Sequence, residues 1–119
     1  MTAGDSVQLL AMRPNLPVAD LERAVAFYRD VIGFGVEARM DDVGFALMRA
    51  GGAELALVKH PAPQPGGAYL YVSGVEQLLT RCTEAGCTLI SPLTVEPWGL
   101  RDFVVEDPDG HRIAIGERV

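Results

Sequence analysis

Leu16-Pro17-Val18-Ala19-Asp20-Leu21-Glu22 recurs as Leu70-Tyr71-Val72-Ser73-Gly74-Val75-Glu76, a shift of 70 − 16 = 54 positions. An amphipathic stretch follows each copy. Further on, Leu55-Ala56-Leu57 matches Ile113-Ala114-Ile115 at a shift of 113 − 55 = 58, with Gly52 and Gly110 before the two runs. Short internal periods signal solenoids, whereas one duplication over nearly the whole chain signals two like halves packed together.

Element signals fit the duplication. Residues 7–16 are rich in apolar types and include Pro14, with Pro17 just beyond, so they read as a first strand at a sheet edge, where missing donors are tolerated. Asp20 is placed to cap the following helix, since a carboxylate accepts from the unpaired amides of a first turn, and Glu22 suits the positive end of the dipole. Leu21, Ala24, Val25, Tyr28, Val31 and Ile32 keep helical spacing up to Gly33, the expected stop. Strands are predicted over 35–40, 43–49 and 53–59, with turns at Asp41-Asp42 and Ala50-Gly51-Gly52. After the Pro- and Gly-rich linker 61–67 the order repeats: strand 68–73, a helix carrying Val75, Leu78, Leu79, Cys82 and Ala85 up to Gly86, then strands 88–93, 101–106 and 111–117. Each half is therefore βαβββ, and the fold class is α+β. The chain reads as one domain, 1–119, with repeat one at about 7–60 and repeat two at about 68–119.

From Gly33 to Phe45 is 45 − 33 = 12 positions, but from Gly86 to Phe103 is 103 − 86 = 17, so the second repeat has five extra residues between its second and third strands. Pro97-Trp98-Gly99 lies there, and the only tryptophan in an inserted loop points to function, although it also suits plugging the open end of a sheet.

Composition narrows the partners. A net charge of −6 with pI near 4.7 argues against nucleic acid or an anionic membrane and permits a cationic ligand, though acidity also serves solubility alone. Met1 to Asp5 shows no basic segment leading into an apolar one, so a cytoplasmic location is expected. Cys82 and Cys87 have neither redox CxxC nor zinc half-site spacing and read as buried free thiols. No nucleophile elbow, phosphate loop or dinucleotide fingerprint is present, and no cofactor is expected.

The segment from Asp20 to Phe34 and the turn Asp107-Pro108-Asp109-Gly110-His111 resemble the glyoxalase, bleomycin resistance protein and extradiol dioxygenase superfamily, also called vicinal oxygen chelate. Glu96-Pro97-Trp98-Gly99 leading into Phe103-Val104-Val105-Glu106, and the aromatic strand Tyr69-Leu70-Tyr71-Val72, are similar to the bleomycin resistance proteins within it. The resemblance implies paired modules with curved mixed sheets, helices outside and ligand in a cup. In metal-dependent members the ligands come from the first and last strands of each module, positions that fall here on Arg13, Ala56, Gly67 and Ala114. Arginine has no lone pair to offer, and alanine and glycine have no donor atom, so these four cannot assemble a metal site.

Strand alternation sets Gly67, Tyr69 and Tyr71 on one face, with Arg13 and Asn15 as their counterparts in the first repeat. Tyr69, Tyr71 and Trp98 are candidates to stack on a planar ligand; the two tyrosines equally suit a subunit interface. By the same resemblance Asp42 and its neighbour Asp41 border the drug groove, Val43 stands where those proteins carry a stacking aromatic, and Phe45 is the candidate replacement. Arg13 suits either a ligand carboxylate or phosphate, or an ion pair with an acid such as Glu54. The expected function is metal-independent binding of a planar, optionally cationic, small molecule by a homodimer; the rival is a divergent lyase, isomerase or dioxygenase.

Overall fold

The computed structural model describes residues 6–119, so the reading of Met1 to Asp5 lies outside the described residues. The chain runs β1 (Asn15–Val18), α1 (Leu21–Ala26), a π-helical continuation (Phe27–Ile32), β2 (Gly35–Met40), β3 (Phe45–Ala50), β4 (Ala53–Lys59), β5 (Gly67–Tyr71), α2 (Val75–Glu84), β6 (Thr88–Val95), β7 (Leu100–Glu106) and β8 (Arg112–Arg118). These form two four-stranded sheets, β1-β4-β3-β2 and β5-β8-β7-β6. In each, the first strand pairs in parallel with the last and the other contacts are antiparallel. The fold is α+β, two βαβββ modules.

Local chemistry explains the helices. Asp20 caps α1 by accepting from the Arg23 amide at 3.1 Å, and Gly33, at φ +109°, ends the π segment with its amide on the Tyr28 carbonyl at 2.9 Å. Helix α2 starts at Gly74, which has no capping side chain, so Glu117 of β8 reaches across and accepts from the Gly74 and Val75 amides at 3.2 and 3.0 Å. Its end is a Schellman turn: the Gly86 amide bonds Thr83 and the Cys87 amide bonds Cys82, both at 3.0 Å.

Apolar residues on one face of each sheet and the buried stripes of both helices meet in one core, including Leu16, Tyr28, Met48, Leu57, Phe103 and Ile115. A buried polar cluster ties the modules together beside it. The Tyr28 hydroxyl donates to Asp107 at 2.5 Å, and the other Asp107 oxygen accepts from the amides of Asp109 and His111, each at 2.9 Å. His111, wholly buried, accepts at Nδ1 from the Gly66 amide at 2.7 Å; the network therefore assigns the ring proton to Nε2, which donates to the Pro17 carbonyl at 2.6 Å. Asp109 accepts from the Ala19 amide at 2.8 Å.

Three expectations are corrected. The first strand is 15–18, not 7–16: among the described residues, 6–14 have no strand partner, and Leu9 and Met12 are 93% and 96% exposed. Its edge position stands, which is how Pro17 is accommodated. The third strand starts at Phe45 rather than residue 43, because Asp41 to Gly44 form a closed turn with Gly44 at φ +67° against the Lys59 side chain. The pairing also redistributes the five extra residues. Gly35↔Arg49 matches Thr88↔Glu106, shifts of 53 and 57, so four extra residues lie within the β6–β7 hairpin (57 − 53), one of them in an added bulge between Ser91 and Thr94. The fifth lies between β7 and β8, where the shift grows from 57 to 58. Phe45 therefore corresponds to Asp102, not Phe103, and a one-residue slip exchanges the two faces of a strand.

Candidate functional site

The face of each sheet opposite its helix is open in this chain. On the first sheet, Arg13 precedes β1 and its guanidinium lies over the Phe45 ring, 5.7 Å from the centroid. It makes no ion pair among the described residues; Glu54 pairs instead with Arg49, which also holds Glu37 at 2.9 Å. Asp42 and Val43 lie exposed in the β2–β3 turn.

On the second sheet, Tyr69 and Tyr71 are neighbours along β5, with centroids 4.9 Å apart and planes tilted by 47°. Arg118 lies over the Tyr71 ring at 5.5 Å. The Tyr69 hydroxyl donates to Asp102 at 2.7 Å, and burial followed by this bond raises it to about 12. The ring crosses Gly116, where any Cβ would collide with the Tyr69 hydroxyl. Burial and the nearby Asp102 carboxylate also hold the Glu96 carboxyl above its ordinary range. Trp98, 66% exposed, occupies the tip beyond the Val95↔Arg101 pair and stacks on no ring among the described residues.

The candidates thus fall into an Arg13–Phe45 pair, a Tyr69–Tyr71 pair, and three exposed tip residues, Asp42, Val43 and Trp98. Sequence reasoning missed Asp102, Glu96 and Arg118. Arg118 had a signal, since it shares a β8 face with Gly116 and Ala114; Asp102 needed the β7–β8 register.

The positions that resemblance assigns to metal ligands do not fit one. Ala56 lies opposite Asn15 and Ala114 opposite Tyr69, neither alanine has a donor, and Arg13 is a cation already placed over a ring. No three His, Cys, Asp or Glu side chains cluster as a metal site among the described residues.

Two parallel-edged βαβββ modules with ring-bearing open faces, and no metal donor at Arg13, Ala56, Gly67 or Ala114, define a class of small paired-module proteins. Residues 8–115 match the sequence profile of the Glyoxalase/Bleomycin resistance protein/Dioxygenase superfamily, and the chain belongs to that superfamily. TioX from Micromonospora sp. ML1 is similar in structure, with a TM-score of 0.81 and 25% identity over 92% of this chain and 99% of that one. A bleomycin resistance determinant encoded on transposon Tn5 gives 0.78 and 23% over 92% and 98%. Lactoylglutathione lyase from Agrobacterium tumefaciens gives 0.77 and 23% over 90% and 92%. A resistance determinant and a lyase resemble this chain to nearly the same degree, so these likenesses establish the fold alone. No curated protein sequence matches the chain.

Proposed function

We propose that this protein is a metal-independent binder of the bleomycin-resistance type: a cytoplasmic homodimer that sequesters a planar, optionally cationic, small molecule in grooves between subunits and does no chemistry on it. The carrying observation is the open Tyr69–Tyr71 face, at which Tyr71 is 60% exposed and no side chain offers a metal-binding set at the family positions. Stacking contributes about 0.5–1.5 kcal/mol per ring pair beyond burial. Both open faces already hold a guanidinium over a ring, at 5.7 and 5.5 Å, so their chemistry suits a planar cation. Apolar side chains exposed on Val7, Leu9, Leu10 and Met12, beyond those of Val95 and Trp98, support a second subunit covering this surface. Neither thiol is in a disulfide, as suits a reducing compartment. Among the described residues no helix is long and apolar enough to cross a membrane. Protection by such a binder follows from mass action without turnover.

Titration with metal-free bleomycin tests the reading. Trp98 fluorescence should quench with saturation, and Trp98→Ala should abolish tight binding; unchanged affinity in that variant removes the hairpin tip from the site. Metal analysis of the purified protein addresses the enzyme reading, which a tightly held stoichiometric divalent ion would favour.

A further inference from the structure

A cavity of about 420 Å³ lies at the seam between the modules, away from Trp98, Asp42 and Val43. Its lining is unusual in one respect. It takes consecutive residues 68–71 of β5, and consecutive residues 52–55 at the start of β4. A cavity on the face of a strand meets every second residue, so consecutive lining means that this one runs along the edge of β5. Among the described residues β5 has only β8 as a strand neighbour, and that ladder uses Gly66, which accepts from Arg112 at 2.9 Å, and Val72, which donates to Gly116 at 2.8 Å. Alternation then turns the N–H and C=O of Tyr69 and Tyr71 outward, to the cavity side.

The floor is apolar. Tyr28 and Ile32, four apart on the π-helical segment, line it with Phe34, and Phe34 packs edge-on to Tyr28 at 6.2 Å. π turns are rare and recur at functional sites, because the extra residue re-aims side chains that a regular helix would place elsewhere. An open strand edge beside an apolar floor presents two complementary chemistries at once: amide groups in extended spacing, and a slot for a flat or branched hydrocarbon.

We infer that this seam is a binding site for an extended, amide-bearing small molecule with one aryl or branched alkyl side group, its amide paired to the outer edge of β5 and its side group seated over Tyr28, Ile32 and Phe34. The site shares Tyr69 and Tyr71 with the open face but does not depend on the sequestration reading. N-acetyl-L-phenylalanine N-methylamide is the probe, followed by NMR on ¹⁵N- and methyl-labelled protein. Saturable shifts are expected at the amides of Tyr69 and Tyr71 and the methyls of Ile32 and Leu55, with the glycine counterpart at least tenfold weaker. Ala53→Phe, which fills the seam from the start of β4, should weaken the probe at least tenfold and leave the Trp98 titration with bleomycin unchanged. Tyr71→Pro, which deletes one outward N–H at an edge that tolerates proline, should bind more weakly than Tyr71→Ala, which keeps it. Absence of these shifts, their persistence at full strength in Ala53→Phe, or loss of probe binding as protein concentration rises, which marks a second copy in the seam, each overturns the inference. A failed bleomycin titration with intact probe binding sinks only the sequestration reading.

Discussion

Replacing Tyr28 by phenylalanine isolates the bond that joins the first helix to the Asp107 turn. The ring stays, and so do its edge contacts with Phe27 and Phe34 at 5.0 and 6.2 Å. What disappears is the hydroxyl that donates to Asp107 at 2.5 Å, leaving one oxygen of a buried carboxylate without its partner. Hydrogen bonds to a charged group contribute about 1.5–3 kcal/mol net. For a domain of this size each kcal/mol moves the melting temperature by roughly 4 °C, so the variant should melt about 6–12 °C lower. Alkali gives a second readout. Burial first, then the Asp107 carboxylate, raise the Tyr28 hydroxyl above its ordinary value of 10.0. A folded-state pKa raised above the unfolded one means this stability is complete below pH 10 and is lost as pH climbs toward the folded value. Wild-type stability should fall above pH 10 by up to about 1.4 kcal/mol per unit from this group, and the gap to Tyr28→Phe should close. Urea midpoints measured from pH 7 to 11 test both effects. An unchanged midpoint at pH 7, or a gap that stays constant to pH 11, refutes the assignment of this bond as a tie between modules.

Glu117 has its carboxyl lowered by the Val75 and Gly74 amides, so its contribution is present above the ordinary value of 4.5 and lost as pH falls through the folded one. Glu117→Ala should therefore lower the melting temperature at pH 7 and much less at pH 3; equal losses at both would show that the carboxylate does not cap α2. Gly116→Ala should push Tyr69 off Asp102 and bring its ionisation down from about 12 toward 10, read as absorbance at 295 nm against pH. A titration that does not move would place the Tyr69 ring elsewhere. Paired substitutions Leu9→Asp and Leu10→Asp should raise the dissociation constant of the proposed dimer at least tenfold in sedimentation equilibrium, because both side chains are almost fully exposed in the single chain. An unaltered constant would take residues 6–14 out of the proposed subunit interface.

Most of the framework was legible because the signals that carry it are local. Asp20, Gly33 and Gly86 act within a turn of their helix, and the sequence separates both βαβββ units at the Pro-rich linker. Expectations failed where a neighbour decides. Residues 7–16 have strand composition, but a strand exists only with a partner, and none among the described residues supplies one before Asn15. The cap of α2 was invisible for the same reason: Glu117 lies 43 residues from Gly74 and meets it only once β8 is in register. Helical spacing from Leu21 to Ile32 gave no warning of the π turn, since an added residue in one turn barely disturbs an apolar stripe of this length.

Register also explains why the candidate site could be read only in part. Val58 of β4 faces Phe45, and the corresponding pair in the second module is Gly116 and Asp102. Where the first sheet carries a valine beside a ring, the second has bare backbone beside an acid, and Tyr69 fills the vacated space to bond that acid. The duplicated scaffold therefore holds two unlike open faces: one pairs a cation with Phe45, the other carries two tyrosines, the Asp102 carboxylate and, on a longer hairpin, Trp98. A glycine in a strand weakens it unless something packs close to the backbone, and the aromatic ring lying across Gly116 is what compensates here. Alignment of the two halves by residue type paired Phe45 with Phe103 and hid this exchange, because Phe103 sits on the buried face. Pairing by hydrogen-bond register recovers it, and the difference between the halves, rather than their likeness, is what supports the surface proposed above for ligand recognition.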